Sequence, residues 1–254
     1  PYRSVEVSYG TQGQKSAGFD VAGPVDDNGK VAYRVTGLGR STDTQFDNTR
    51  EERYAIAPQV MFNFTPDTSL LLQAYLQCDP SGGFHSGVPA DASITNDHAG
   101  QRISRHFVDS DPDNNEFKRN ERIFSYQFDH RFNDRWTFRQ NARYVSSDVA
   151  LKQVYGYGWA NGTELNRYYS GADESLNAFA IDNQLQGTFE TGAVKHTVLL
   201  GLDYQNRHAD GRWDSGTASN LDAFHPDYAD GNVQIASRTF FDRRLEQTGF
   251  YLQD

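Results

Sequence analysis

The chain has 254 residues, a net charge of −10 and a pI near 5.1, so it lacks the excess of Lys and Arg that binding to nucleic acid phosphates requires. Its single cysteine excludes an internal disulfide framework and a zinc site built from several cysteines. Aromatic residues make up 13% of the sequence and the mean hydropathy is −0.75, which favours half-buried β-strands over apolar helices that cross a membrane.

Alternation of apolar and polar residues predicts about ten strands along the chain. The alternation is weak in segments 3–11, 15–25, 30–41 and 51–64. It is clear in 69–76, where Leu70, Leu72 and Leu76 share one face and Gln73 lies on the other. It is clear again in 123–132, 136–144 and 197–205, and weaker in 176–190 and 239–253. In the clear segments one face is apolar or aromatic and the other is largely polar.

The connections between these segments alternate between short and long. The short ones lie at 26–29, 65–67, 133–134 and 190–192 and contain the Asp, Asn, Gly and Pro of tight hairpin turns. The long ones lie near 42–50, 79–119, 147–175 and 209–237 and show no helical period. Tight turns at one end and long loops at the other are typical of a membrane barrel. The sequence therefore predicts an all-β fold, a transmembrane antiparallel β-barrel, with the longer connections outside the cell.

An open sheet of about ten strands would leave two unpaired edges, which a bilayer does not tolerate. We therefore expect the rest of the barrel wall to come from further sequence. Pro1 and Asp254 both fall within strand-like patterns, and we interpret them as cuts in a longer protein. A competing interpretation is a soluble all-β ligand-binding module whose aromatic side chains fill a core.

The acidic segment 109–116 invites comparison with a calcium-binding loop. An EF-hand needs Gly at its sixth position and Glu at its twelfth, where this chain has Asn114 and Asn120. A looser carboxylate site and a solvated acidic loop both remain open. The histidines show no zinc-binding spacing, and no catalytic constellation accompanies the carboxylates, so we predict no metal site, no cofactor and no enzymatic activity.

Five motifs follow one another along the chain, at 19–24 (FDVAGP), 57–60 (APQV), 127–132 (QFDHRF), 153–159 (QVYGYGW) and 196–204 (HTVLLGLDY). In this order they resemble the TonB-dependent siderophore receptors of the ferric-hydroxamate (ferrioxamine and ferrichrome) type. The resemblance implies a barrel of about 22 strands around an N-terminal plug domain. Residues 1–254 would then be the N-terminal portion of that barrel, a fragment of about ten strands from which the plug domain is absent.

The resemblance also implies which residues bind the substrate. Phe84 and His85 fall on ligand-facing aromatic positions of the third external loop. Gly87 stands where the ferrichrome type usually has a tryptophan, which favours a ferrioxamine-like ligand. The fourth loop contributes four candidates and the fifth loop one. These are Gln153, Tyr155, Tyr157, Trp159 and Trp213.

These side chains suit a ferric siderophore because the ligand already fills the iron coordination sphere. Aromatic rings supply contact area and attract cationic groups, while Tyr hydroxyls, His85 and Gln153 donate to hydroxamate oxygens. A structural alternative is that Tyr155, Tyr157 and Trp159 pack the base of a loop. The polar strand face is expected to hydrate the barrel wall and contact the plug; it includes Arg34, Arg139, Arg143, Asp203 and Arg243.

The implied function is import of a ferric hydroxamate siderophore across the bacterial outer membrane with energy supplied by TonB. The expected partners are the siderophore, TonB through the N-terminal region, and outer-membrane lipid and lipopolysaccharide, but no nucleic acid. Iron would enter as siderophore-bound substrate. The alternative within the same membrane is a passive porin or specific channel.

Overall fold

The computed structural model describes residues 1–82, 87–95, 97–110, 112–229 and 232–254. These residues form ten strands in one antiparallel sheet, in which each strand pairs with its neighbours in sequence. The strands are β1 (Tyr2–Tyr9), β2 (Lys15–Pro24), β3 (Val31–Asp43), β4 (Arg50–Thr65), β5 (Thr68–Ser81), β6 (Glu116–Arg131), β7 (Trp136–Trp159), β8 (Glu164–Thr191), β9 (Val194–Asp222) and β10 (Gln234–Gln253). The predicted number and order of strands are confirmed.

Short 3₁₀ turns at Ala90–Ala92 and Pro112–Asn114 lie in the β5–β6 connection. Within the described part of the chain, no helix has the length and apolar character needed to cross a bilayer.

Strand register gathers the predicted apolar residues onto one continuous face. Leu72 pairs with Val60 and with Tyr126, and Tyr126 pairs with Ala142. This face is exposed: Leu72 is 42% and Phe250 75% accessible. A soluble module would bury such side chains against a second layer, whereas all ten described strands belong to a single sheet. An uncovered apolar sheet face is the surface that a barrel presents to lipid.

The opposite face carries polar and charged side chains, as predicted. Arg34 donates two hydrogen bonds to Asp20, at 3.0 and 2.7 Å, and Arg139 contacts Asp129 at 2.6 Å. Register and alternation place the remaining predicted members on this face as well; they are Arg143, Asp203 and Arg243. We refer to this surface as the interior face.

The expected boundaries of two long connections are wrong. Strands β7 and β8 continue to Trp159 and from Glu164, so their connection is residues 160–163 rather than 147–175. Strands β9 and β10 are joined by residues 223–233 rather than 209–237. Beyond the bilayer neither face meets hydrocarbon, so the apolar alternation that marks a strand lapses although the backbone ladder continues. The β5–β6 connection, residues 82–115, is long as predicted.

The buried core lies beside these extended strands and contains both loop and strand residues. Its fully buried members are Ala92, Ile103, Phe107, Leu165, Leu221 and Ala223, and Trp159, Phe224 and Tyr228 pack against them. Leu165 lies on the face of β8 opposite Tyr168, because successive strand residues point to opposite faces. The extended strands therefore hold the loop core on one face and leave the interior face open.

Candidate functional site

A recess of about 390 Å³ lies on the interior face of β7–β10. It is at the end away from the short turns, where these strands extend beyond their membrane-spanning segments. Cavities of this size are common for small-molecule sites. The recess is lined by Ser147, Val149, Glu174, Ser175, Leu176, Ala209, Trp213, Thr239, Phe241 and Arg243. We call it the β7–β10 recess.

Three rows of register partners build the recess across four strands. The middle row is Val149, Glu174, Gly211 and Phe241. The next row away from the short turns contains Trp213, and the row nearer to them contains Arg243; register partners in an antiparallel sheet point to the same face.

Small residues in β9 make the recess concave. A Cβ atom added at Gly211 would lie 3.0 Å from two atoms of the Phe241 ring, so this ring packs directly over the bare glycine backbone. Any side chain at position 211 would displace the ring. Ala209, the neighbour of Gly211 on the same face, adds only a methyl group. The larger aromatic and aliphatic side chains on the flanking positions form the walls.

Two aromatic rings and two opposite charges meet in this recess. The Trp213 indole N–H donates to Oε1 of Glu174. Trp213 meets Phe241 edge to face, with centroids 6.3 Å apart and an angle of 85°. The Arg243 guanidinium carbon lies 5.3 Å from the centroid of the Phe241 ring, a cation–π contact. The recess thus offers aromatic faces, one carboxylate and one guanidinium to a ligand.

The structure places Gln153, Tyr155 and Trp213 on the interior face together. Odd-numbered residues of β7 keep this face from Arg139 to Tyr155, because the β7–β8 register has no irregularity before Gly156. Gln153 lies two residues beyond the row of Trp213, and Tyr155 four, or about 7 and 13 Å along the strand.

Tyr155 is held by a second tyrosine on the neighbouring strand. Its ring centroid is 5.6 Å from that of Tyr168, its register partner on β8. Burial, and secondarily the nearby Tyr168, raises the pKa of the Tyr155 hydroxyl above its ordinary value. The hydroxyl therefore stays protonated at neutral pH and can donate a hydrogen bond.

Tyr157 and Trp159 do not continue this row. Gly156 pairs with Arg167 and Gly158 with Asn166, so Tyr157 is the extra residue of a β-bulge; its side chain is 63% exposed. The bulge shifts the alternation by one residue, and Trp159 pairs with Leu165 on the opposite face.

Trp159 is part of the loop core. Its indole N–H lies 3.1 Å from each carboxylate oxygen of Asp91, and its ring packs against the buried cluster that contains Leu165. These contacts fit the structural alternative, in which this tryptophan packs the base of a loop.

Phe84 and His85 lie outside the described residues. The glycine that closes their motif is described, and its backbone N–H donates to Oδ2 of Asp109 at 3.0 Å. The same oxygen accepts from the N–H of Gly156 at 2.7 Å. A Cβ atom at Gly87 would lie 3.7 Å from the Gly156 carbonyl oxygen. Fully buried Asp109 thus joins the two loop motifs that the resemblance singled out.

The sequence indicated Arg243 only as a polar wall residue and gave no sign of Glu174 or Phe241 as site residues. Each contributes to the recess through strand pairing with β9, which depends on partners more than 25 residues away in sequence. Alternation along single strands identifies a face but not the neighbours across it. Knowledge of the β8–β9 and β9–β10 registers would have identified both residues.

A larger groove of about 520 Å³ lies on the apolar face and includes Val60, Leu72 and Phe124. Hydrocarbon covers that face in a membrane barrel. We therefore assign the candidate ligand site to the recess on the interior face rather than to this larger groove.

Comparison with known proteins identifies the family. The family model "TonB dependent receptor-like, beta-barrel" matches residues 73–254. The ferrioxamine receptor of Yersinia enterocolitica is 47% identical over 98% of this chain and 35% of the relative. The ferrichrome outer membrane transporter/phage receptor of Escherichia coli K12 is 34% identical over 100% of this chain and 37% of the relative. The chain thus spans about a third of the length of these relatives.

A solved receptor structure has the same fold as this chain. The closed form of the ferric-catecholate import receptor Fiu from Escherichia coli K12 matches 98% of this chain and 38% of its own chain, with a TM-score of 0.85 and 18% identity. Single-sheet topology, an exposed apolar face and the family match agree with one another. The chain therefore belongs to the TonB-dependent receptors of the bacterial outer membrane and forms part of their β-barrel.

Proposed function

We propose that the protein binds a ferric hydroxamate siderophore and imports it across the outer membrane with energy supplied by TonB. The observation that carries the proposal is the convergence of Gln153, Tyr155 and Trp213 on the interior face beside a recess lined by aromatic side chains. Iron enters as part of the substrate, so the protein supplies no metal ligands. The process is transport, and we propose no covalent chemistry.

The chemistry of these side chains supports recognition of the siderophore shell. The protonated Tyr155 hydroxyl and the Gln153 amide can donate to hydroxamate and amide oxygens. The Trp213 ring, 58% exposed, offers a flat apolar surface for methylene segments. Such a site recognises the outside of an iron complex by contact area and a few polar groups.

We propose a ferrioxamine-like ligand in preference to ferrichrome. Gly87 stands where the ferrichrome type usually carries a tryptophan, which removes a large aromatic side chain from this loop. The relative named a ferrioxamine receptor is also more similar, at 47% identity, than the ferrichrome transporter at 34%.

The remaining partners belong to the whole receptor. We propose that TonB docks on a segment outside the 254 residues, that a plug domain contacts the interior face, and that lipid and lipopolysaccharide surround the apolar face. Arg34, Arg139 and Asp129 form part of the polar surface available to a plug.

The test is iron-limited growth of a receptor-deletion strain that carries the full-length gene, supplied with one purified ferric siderophore at a time. Growth on ferrioxamine should depend on the receptor and fall with Tyr155→Ala and Trp213→Ala. Tyr144→Ala is a matched control, since Tyr144 lies on β7 but on the apolar face. Unchanged growth of both variants at normal expression would contradict the site.

A passive porin or specific channel makes a different prediction for the same strains. Uptake through such a channel would continue after deletion of TonB and would stop once the concentrations on the two sides of the membrane are equal. Loss of uptake in the TonB deletion supports the receptor.

A further inference from the structure

Glu174 brings a negative charge to the aromatic wall of the β7–β10 recess. Its side chain is half-buried on the interior face, in register with Val149 and Gly211. The Trp213 indole N–H engages Oε1 and fixes the carboxylate beside the tryptophan ring. Among the contacts of the described residues, Oε2 makes no hydrogen bond. This oxygen therefore remains available to a ligand.

A carboxylate beside exposed aromatic faces is a recognition element for a cation. The quadrupole of Trp213 and Phe241 attracts positive charge to the ring faces, and the adjacent carboxylate adds a direct ion pair. Trp213 is 58% exposed and so presents its ring at the mouth of the recess. The same surroundings disfavour an anionic group, which both the rings and Glu174 would repel.

Arg243 determines the end of the recess at which a cation can enter. Its guanidinium lies over Phe241, in the row nearer to the short turns, whereas Trp213 lies in the row away from them. An incoming cation is repelled at the Arg243 end and attracted at the Trp213 end. The guanidinium in turn can donate to carbonyl or hydroxamate oxygens deeper in the recess.

We propose that Glu174 and Trp213 form a subsite for a protonated amine at one end of the siderophore, so that the receptor prefers a cationic linear trihydroxamate to its neutral counterpart. This inference rests on the proposed function and adds the charge class of the ligand. Arg243 orients the same ligand by binding its neutral oxygen-rich part. Glu174 acts by contact with the ligand, and Arg243 acts as a second contact of opposite sign.

The test measures binding to the purified full-length receptor in detergent. The two probes are a ferric linear trihydroxamate with a free terminal amine and the same complex after N-acetylation. The wild-type receptor should bind the amine more tightly, on the order of fivefold to twentyfold. Glu174→Gln should remove most of this preference, and the readout is the ratio of the two affinities, which a general loss of binding would not change. Glu190→Gln, a change at the opposite end of β8 where the carboxylate is exposed, should preserve the preference.

Trp213→Phe provides a second variant that keeps an aromatic face and removes the indole N–H. It should reduce the preference for the amine without abolishing binding of either probe, and it keeps the proposal testable should Glu174→Gln fail to fold. A preference that persists undiminished in folded Glu174→Gln, or that is absent from the wild-type receptor although both probes bind, would overturn the subsite alone. Failure of the wild-type receptor to bind either probe would overturn the proposed function together with it.

Discussion

His98 lies flat against Trp159, with ring centroids 4.0 Å apart and an angle of 16° between the ring planes. Phe224 stacks on the same pair, 5.6 Å from His98 and 5.9 Å from Trp159. The histidine ring is anchored at both nitrogens: Nδ1 is 3.1 Å from Oδ2 of Asp91 and Nε2 is 2.5 Å from the carbonyl oxygen of Gly162. One side chain thus joins the β5–β6 loop to the β7–β8 turn.

Both groups beside the His98 nitrogens are acceptors, so the ring can donate to both only as an imidazolium. The Gly162 carbonyl, and then the Asp91 carboxylate, raises the pKa of His98 above its ordinary value of 6.5. A histidine whose pKa is raised by folding stabilises the folded loop fully at pH below the unfolded value. This stabilisation is lost as the pH rises through the folded value.

We therefore expect the loop to open more often in alkaline solution. Tryptic cleavage after Arg102 and Arg105, which are exposed in this loop, should accelerate between about pH 6 and about pH 9 relative to a reference peptide at each pH. His98→Phe keeps a ring in the stack and should remove the pH dependence. His106→Phe, in the same loop, should retain it. An equal pH response in wild type and His98→Phe would show that another group is responsible.

The Asp109 carboxylate should hold the two loop motifs together. Asp109→Ala leaves the amides of Gly87 and Gly156 without their buried acceptor, at a cost of roughly 1–3 kcal/mol each. Asp109→Asn keeps one acceptor oxygen and should have a smaller effect. Hydrogen exchange at the two glycine amides measures the change directly. The exposed Asp97→Ala is the control, and equal protection in Asp109→Ala and Asp97→Ala would contradict this role.

Two adjacent phenylalanines on β10 should respond differently to truncation. Phe241 lines the recess, whereas Phe240 points to the other face and is 71% exposed. Phe241→Ala should weaken binding of a ferric trihydroxamate on the order of tenfold, because it removes a wall of the recess and the ring beneath Arg243. Phe240→Ala should leave the dissociation constant unchanged. Equal losses in the two variants would indicate a general effect on β10 rather than a contact with the ligand.

Charge should be tolerated on one face of β5 and not on the other. Leu72→Arg places a cation on the lipid-facing surface of the strand, at a cost of up to about 2–4 kcal/mol. Gln73→Arg, one residue later, places the same charge on the interior face at nearly the same depth. The folded fraction of each variant can be measured from the change in its electrophoretic mobility on heating. It should fall for Leu72→Arg and stay unchanged for Gln73→Arg. The opposite order would reverse the assignment of the two faces.

The number and order of the strands, and the face of the sheet on which each side chain lies, were predictable from sequence where the bilayer imposes a strict alternation. Leu70, Leu72 and Leu76 must all meet lipid, so their spacing reports both the strand and its face. Beyond the bilayer this constraint ends. In β7, Val149 and Leu151 lie on the interior face, whereas in the membrane-spanning part that face is polar, and the pattern no longer marks a strand.

The candidate site was predictable only where the resemblance supplied residues. Gln153, Tyr155 and Trp213 were named from loop motifs and lie on one face in the structure. Trp159 was named from the same motif but lies in the loop core, because a bulge at Tyr157 changes its face and no alternation rule anticipates an inserted residue. Glu174 and Phe241 depend on pairing between strands distant in sequence.

That bulge lets a single seven-residue run serve two tasks. Before Tyr157 the run turns the Tyr155 ring toward the interior face, and after it the run turns the Trp159 ring toward the loop core. The two Gly residues flanking Tyr157 provide the conformational freedom, and Gly158 adopts a φ of 140° that side chains rarely tolerate. If the same residues formed a regular ladder without the bulge, Trp159 would pair one position further along β8 and would lie on the interior face instead of in the loop core.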